Sequence, residues 1–348
     1  MSPAILTALL FGLSLGTTIT ISSTHWLTAW MGLEINTLAI LPLMAQQHHP
    51  RAAEATIKYF LIQAAGASTL LFTCTTNAWF TGQWEIQQMT HPLPTTMITL
   101  ALALKIGLAP VHAWLPEVLQ GLTITTGLII STWQKLAPFA LMMQIQHTNP
   151  TILIMIGIAS TFVGGWGGLN QTQLRKILAY SSIAHLGWVV LVLQFYHSIA
   201  LMTLFIYIIM TSSAFLAFKL NNSTTINELT TTCAKNPVPT AIFLLSLLSL
   251  GGLPPLSGFL PKYMVIMELC LQDYILVATL TALSTLLSLH FYIRLSFVIA
   301  ITMAPNNTTG TIQWRLPAAP YTLPMSIMMI TSFILLPISP SVMVLMTF

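Results

Sequence analysis

Apolar stretches of about 20 residues recur along the whole chain, separated mostly by short polar connections. Each stretch is long enough to cross a bilayer as an α-helix. Strands of a membrane barrel would alternate apolar and polar residues over about ten positions, and the sequence lacks that alternation. The pattern predicts about eleven membrane-spanning helices: 3–22, 25–45, 56–78, 95–116, 122–145, 151–168, 174–194, 198–219, 238–271, 275–300 and 322–345.

Composition supports an all-α polytopic membrane protein with one transmembrane domain over 1–348. Only 5% of the residues are charged and 55% are hydrophobic, too few charges to cover the surface of a soluble domain. The net charge of +4 is spread out, which argues against a nucleic-acid partner. Three isolated cysteines without a CxxC pair argue against a disulfide framework or an iron–sulfur site. Metal-ligand and nucleotide-binding motifs are also absent from the sequence.

The basic residues predict the orientation of the chain. With eleven spans, the N-terminus shares one side with four connections, and the basic residues in or near them are Arg51, Lys58, Arg175, Lys176, Lys219, Lys235 and Arg315. The connections on the opposite side contain no Lys or Arg. Because basic residues accumulate on the inner side of a membrane, we expect the N-terminus and the basic connections to face the matrix or cytoplasm.

An internal repeat interrupts the fourth and ninth predicted spans. Residues 107–117 and 252–262 share Gly, Leu, Pro, Leu and Pro in register, at a constant offset of 145 residues. Since proline breaks helices, each copy should split its span. The repeat predicts two inverted five-span units, about 3–145 and 151–300, followed by a final helix at 322–345. Paired broken helices in inverted halves indicate a transport site; two packing kinks are the alternative.

Four charged residues lie deep within the predicted spans or beside a break, away from the span ends: Glu34, Lys105, Lys135 and Lys262. A charge at membrane depth costs at least ~2.5–3.5 kcal/mol on insertion scales, which favours a functional role. A snorkelling lysine or a fixed ion pair between helices is the structural alternative.

These residue types suit proton transfer. Burial weakens the proton affinity of a lysine, and a nearby carboxylate restores it. We hypothesise that Glu34 and Lys105 form a modulating pair, that Lys135 is the central carrier, and that Lys262 serves the far half-channel. His112 and His185 are candidate relays, because histidine titrates near physiological pH; a buried neutral histidine bonded to a carbonyl is the alternative.

Six segments together resemble the chain 2 family of NADH-ubiquinone oxidoreductase subunits: Met31–Asn36, Glu54–Ala65, Lys105–Glu117, Ser131–Pro138, Ala179–Trp188 and Leu250–Lys262. The resemblance covers essentially the whole chain. It implies an antiporter-like subunit of the membrane arm of complex I, with the charged axis at Glu34 and at lysines 105, 135 and 262.

The resemblance also implies the setting of the chain. NAD, FMN, iron–sulfur clusters and ubiquinone are expected in other subunits, so that this chain takes part in a proton-translocating reductase without its own redox centre. Expected partners are other membrane-arm subunits, including antiporter-like and small ones, and phospholipids such as cardiolipin. The expected location is the mitochondrial inner membrane, with the C-terminus on the intermembrane-space side. A free-standing cation/proton antiporter and a purely structural subunit are the rival interpretations.

Overall fold

The computed structural model of the chain is built from α-helices, as the sequence pattern predicts. It describes residues 2–46, 49–89, 91–145, 150–230, 237–254, 256–301 and 322–347. Within these ranges the only β-structure is two isolated β-bridges, which pair His25 with Glu85 and Gln173 with Thr225. Two compact units divide the chain, Met1–Ser160 (unit 1) and Thr161–Phe348 (unit 2). The predicted all-α class is confirmed, and the predicted single domain with two repeats stays a prediction.

The helices follow the predicted spans closely. Unit 1 contains α1 (Pro3–Ser22), α2 (Trp26–Met44), α3 (Pro50–Thr81), α4 (Pro92–Ile106), α5 (Trp114–Gly121), α6 (Ile124–Ser131), α7 (Trp133–Gln144) and the start of α8 (Pro150–Gly168). Unit 2 contains the end of α8, then α9 (Leu174–Leu193), α10 (His197–Asn221), α11 (Ile226–Thr230), α12 (Pro237–Gly251), α13 (Phe259–Leu271), α14 (Ile275–Ile301) and α15 (Thr322–Thr347).

Seven of the described helices, α1, α2, α3, α8, α9, α10 and α14, are long and apolar enough to cross a membrane. Helix α15 bends by 66° between Phe333 and Leu335, and would be an eighth span. Pro337 explains the bend, because it cannot donate a backbone hydrogen bond to Phe333 four residues earlier. The total of eleven spans stays a prediction, as does the membrane depth of each helix.

The fifth predicted span differs from the prediction. It was expected to be continuous, but it is divided at Thr132 into α6 and α7. Thr132 has φ −112° and ψ −69°, and its hydroxyl donates 2.7 Å to the Leu128 carbonyl of the preceding turn. That side-chain bond competes with the regular helical ladder. Lys235 and Arg315, two of the basic residues that predict the orientation, lie outside the described residues, as does Pro255 of the second repeat copy.

The first repeat copy ends α4 with a left-handed glycine. Gly107 has φ +83°, a conformation that glycine adopts without steric cost. The backbone amide of the next residue, Leu108, donates a 2.9 Å hydrogen bond to the backbone carbonyl of Ala103. This bond completes the helix ending known as the Schellman motif. The chain then crosses the break and restarts as α5.

The second repeat copy ends α12 in the same way. Gly252 has φ +80° and the Leu253 amide donates 3.4 Å to the Leu248 carbonyl. Each of these residues lies 145 positions after its counterpart in the first copy. The matching helix endings therefore support the duplication read from the sequence, and they disfavour two unrelated packing kinks.

Helices α1 and α2 of unit 1 cross with their backbones in close contact. A Cβ added at Gly32 would lie 2.9 Å from the Gly16 carbonyl oxygen and 2.7 Å from the Thr20 methyl carbon. Small residues permit this approach between membrane helices. The crossing fixes the middle of α2, which contains Glu34 and Asn36, against α1.

Candidate functional site

Two buried lysines of unit 1 lie beside the first helix break. Lys105, in the last turn of α4, is 4% exposed, and Lys135, on α7, is 1% exposed. The Lys135 Nζ atom donates a hydrogen bond to the carbonyl of Ile106, the last residue of α4. It also lies 5.4 Å from the centre of the Trp114 ring, within range of a cation–π interaction. Lys135 therefore binds the C-terminal end of α4.

The lysine of unit 2 occupies the equivalent place at the second break. Lys262, on α13, is 9% exposed, and its Nζ donates 2.7 Å to the carbonyl of Gly251, the last residue of α12. Gly251 lies 145 residues after Ile106. In each unit a lysine ammonium thus donates to the equivalent carbonyl. In unit 1 the lysine comes from a neighbouring helix, and in unit 2 it comes from the second half of the broken span.

A helix end explains why this carbonyl attracts an ammonium. The last carbonyls of a helix have no partner within it, and they carry the negative end of the helix dipole, equivalent to about half an elementary charge. The left-handed glycine after each carbonyl turns the chain away. An ammonium can then approach where a continuous helix would place the next turn.

A small cavity is lined by both buried lysines of unit 1. Its volume is about 10 Å³, enough for about one water molecule. The polar residues that line it are Asn36, Thr37, Tyr59, Gln63, Lys105, Gln134 and Lys135. Of these residues, only the two lysines were predicted from the sequence to belong to a functional site.

Glu34 lies on α2 and is only partly buried. Its carboxylate accepts a 3.2 Å hydrogen bond from the Thr37 hydroxyl, and Thr37 lines the cavity. Among the residues that the structure describes, the ion pairs within 4.0 Å involve Lys58 alone, with Glu54 and Glu117. Glu34 and Lys105 are therefore not in direct salt-bridge contact, and their modulating role stays a prediction.

The two candidate relay histidines lie in different surroundings. His112 lies in the first break, with Nδ1 3.2 Å from the Pro110 carbonyl, and it is not among the residues lining the unit 1 cavity. His185, on α9, has Nε2 3.3 Å from the Tyr292 hydroxyl. It lines a second cavity, of about 20 Å³, together with Lys262. Of these two histidines, His185 lines a cavity together with a candidate lysine, and His112 does not line the cavity of unit 1.

One further carboxylate, in the ninth predicted span, is buried. Glu268 is 7% exposed and shares the buried face of α13 with Lys262, Val265 and Leu269. Its Oε1 accepts a 3.3 Å hydrogen bond from the Gln272 amide. The spacing of these four residues matches one face of a helix and would have indicated the burial of Glu268.

Other polar residues of the unit 1 cavity could also have been found from the sequence. Asn36 is two residues after Glu34, and Gln134 precedes Lys135 directly. The side-chain amide of Gln134 donates a 3.5 Å hydrogen bond to the backbone carbonyl of Asn36. This bond connects α7 to α2 beside both ionisable positions. As for metals, the described part of the chain contains no cluster of three or more His, Cys, Asp or Glu able to hold an ion.

Comparison with known proteins gives matches over nearly the whole chain. The family model described as "NADH:quinone oxidoreductase/Mrp antiporter, TM" matches residues 23–288, and "NADH dehydrogenase subunit 2 C-terminus" matches 289–343. NADH-ubiquinone oxidoreductase chain 2 of Tetraodon nigroviridis is 65% identical over 99% of both chains. The same chain of Salmo salar is 63% identical over 100% of both.

Solved structures show the same fold. A chain of respiratory complex I from Thermus thermophilus, solved with bound aureothin, is 26% identical, has a TM-score of 0.86, and aligns over 96% of this chain and 78% of its own length. A chain of an archaeal membrane-bound sulfane sulfur reductase has a TM-score of 0.85 at 17% identity, over 97% of this chain and 74% of its own; this likeness concerns the fold alone. On the strength of the family models and the full-length relatives, the chain belongs to the NADH-ubiquinone oxidoreductase chain 2 family, within the NADH:quinone oxidoreductase/Mrp antiporter group.

Proposed function

We propose that the chain is a core membrane-arm subunit of respiratory complex I that takes part in proton translocation coupled to electron transfer from NADH to ubiquinone. Family membership over the full length supports this assignment. The structural observation behind the proposed mechanism is that each unit holds a buried lysine on the last carbonyl of a broken helix.

This arrangement couples the charge of a lysine to the shape of a helix break. A charged ammonium satisfies the carbonyl, whereas a lysine that has lost its proton binds it more weakly and lacks the attraction to the helix dipole. A hydrogen bond to a charged group contributes about 1.5–3 kcal/mol. Moving one charge across 100 mV requires about 2.3 kcal/mol. A rearrangement of one such bond is therefore large enough to bias the uptake or release of a proton.

The roles follow from these positions. In unit 1, Glu34 and Lys105 adjust the proton affinity near the cavity, and Lys135 accepts and releases the transported proton at the end of α4. In unit 2, Lys262 does the same at the end of α12. His185 is a relay beside Lys262, while His112 is the relay candidate with the weaker geometric support.

Replacing Lys135 by Met tests this function in the assembled complex. Methionine keeps much of the side-chain volume but cannot hold a proton. We expect fewer protons to be moved per NADH, while NADH oxidation by artificial acceptors continues. Because the variant also leaves the buried Ile106 carbonyl without its ammonium, at a cost of about 1–3 kcal/mol, the amount of assembled complex must be measured alongside.

A matched control is Lys58→Met, which removes an exposed lysine whose ion pairs with Glu54 and Glu117 are at the surface. Exposed pairs contribute little, because water and salt screen them and the long side chains lose freedom, so normal assembly and pumping are expected. Normal proton stoichiometry in an assembled Lys135→Met complex would refute the transport role and favour the purely structural subunit.

The setting of the subunit is part of the proposal. We place it in the mitochondrial inner membrane, with the N-terminus and basic connections on the matrix side and the C-terminus on the intermembrane-space side. Its partners are neighbouring antiporter-like and small membrane-arm subunits and phospholipids such as cardiolipin. Flavin, iron–sulfur clusters and quinone chemistry belong to other subunits. The charge asymmetry of the connections and the full-length relatives support this setting.

A further inference from the structure

Lys105 differs from the other two buried lysines in its hydrogen bonding. Lys135 and Lys262 each donate to a carbonyl at a helix end. The corresponding carbonyl at the end of α4, next to Lys105 in sequence, is already bound by Lys135. The Nζ atom of Lys105 is buried without a hydrogen-bond partner among the residues that the structure describes. A buried ammonium without an acceptor is strongly unfavourable.

Asn36 has the same deficit in the same cavity. Its side chain is 1% exposed, and neither its Oδ1 nor its Nδ2 atom has a hydrogen-bond partner within the described ranges. A Cβ added at Gly16 would lie 2.9 Å from Asn36 Oδ1. The carboxamide therefore lies between α1 and the cavity that it lines with Lys105. Its Oδ1 can accept and its Nδ2 can donate.

The size and lining of the cavity select its occupant. A volume of about 10 Å³ suits one water molecule and is too small for an organic ligand. A metal cation would be repelled by the ammonium of Lys105. Water can accept from Lys105 Nζ and donate to Asn36 Oδ1 at once, which gives a partner to the ammonium and to one atom of the carboxamide.

We infer that Asn36 and Lys105 form a binding site for a single ordered water, in which Asn36 is a positioning residue for proton exchange at Lys105. The proton-exchange part of this inference rests on the proposed function. Thr37 lines the same cavity, and its hydroxyl lies 2.8 Å from the Glu34 backbone carbonyl and 3.2 Å from the Glu34 carboxylate, so the acid predicted to pair with Lys105 contacts a residue of this cavity.

Replacing Asn36 by Leu tests the site, because leucine has the same branched side-chain shape with methyl groups in place of the two polar atoms. In the assembled complex we expect proton-coupled NADH:ubiquinone turnover to fall about tenfold, corresponding to roughly 1.4 kcal/mol. Asn36→Ser retains a hydroxyl that can bind water and should restore part of that loss. The matched control is Asn77→Leu, which removes another fully buried asparagine of unit 1, on α3, that does not line the cavity; it should pump normally.

The outcomes separate this inference from the proposed function. Normal turnover in Asn36→Leu, or an equal loss in Asn77→Leu, overturns the water site while Lys135→Met still decides proton transport. If Asn36→Leu fails to assemble, a structure of the unaltered complex decides, at a resolution that shows other buried waters. Ordered density within about 3.2 Å of Lys105 Nζ and beside Asn36 supports the site, and the lack of such density overturns it.

Discussion

Three glycines with left-handed backbones form a natural series for testing the link between Lys262 and its helix break. Gly82, Gly107 and Gly252 have φ values of +71°, +83° and +80°. Alanine at any of them incurs a backbone cost of about 1–2 kcal/mol. They differ in what the added methyl group would contact, so the series separates backbone strain from displacement of the lysine.

The largest effect is expected for Gly252→Ala. The new Cβ would lie 2.8 Å from Lys262 Nζ and 2.9 Å from its Cδ, so the lysine side chain must move. Loss of its 2.7 Å bond to the Gly251 carbonyl adds about 1.5–3 kcal/mol to the backbone cost. The total is about 2.5–5 kcal/mol, at the upper end of single-mutation effects.

The other two substitutions set the baseline. At Gly82 the methyl group meets no atom within 4 Å, so only the backbone cost applies. At Gly107 it would lie 3.2 Å from the Trp114 ring and 3.3 Å from Leu115, which adds a tight apolar contact and displaces no ammonium directly.

The assay compares the three variants in assembled complexes in sealed vesicles, measuring protons moved per NADH and the temperature of inactivation. Gly82→Ala should pump normally, Gly107→Ala should lose stability more than pumping, and Gly252→Ala should lose both. If Gly252→Ala pumps as well as Gly82→Ala at equal assembly, holding Lys262 on the Gly251 carbonyl is not needed for transport, and the proposed coupling is wrong.

Two further predictions concern carboxylates in contrasting places. Glu34→Gln keeps an acceptor for the Thr37 hydroxyl and removes the charge, so protons pumped per NADH should fall while NADH oxidation by artificial acceptors persists; unchanged stoichiometry would contradict a modulating role. In the connection after α10, hydrogen bonds from the Thr224 amide and hydroxyl and from the Thr225 amide hold the pKa of Glu228 below its ordinary value of 4.5. Because folding lowers the pKa of this carboxylate, its ionised form stabilises the folded segment above pH ~4.5, and that stability is lost as the pH falls through the pKa of the folded state. Amide hydrogen exchange around Thr224–Thr230, corrected for intrinsic rates, should show this loss in acid, and Glu228→Gln should abolish the pH dependence; equal acid sensitivity in both proteins would contradict the assignment.

The helices and their breaks were predictable because membrane helices depend on local features of the chain. Apolar length sets each span, and glycine and proline end or bend helices wherever they occur. The two Schellman endings at Gly107 and Gly252 therefore lie where the repeat placed them. The interruption at Thr132 was missed, because a threonine within an apolar stretch rarely signals one.

The ionisable residues were also found from the sequence, because a charged residue within an apolar span can be recognised without knowing which groups it contacts. Their partners were not. Lys135 reaches the Ile106 carbonyl across 29 positions and two helices, and the Asn36 carboxamide reaches the cavity because Gly16 and Gly32 let α1 and α2 touch.

What the sequence alone determined is the chemistry available within the membrane: one acid, three lysines and two broken helices in register. The tertiary structure decided which carbonyl each ammonium binds and which lysine is left without one. The reason is physical. A helix forms from contacts a few residues apart, whereas a hydrogen bond between helices depends on their crossing angle and close approach, which follow from the packing of many side chains at once.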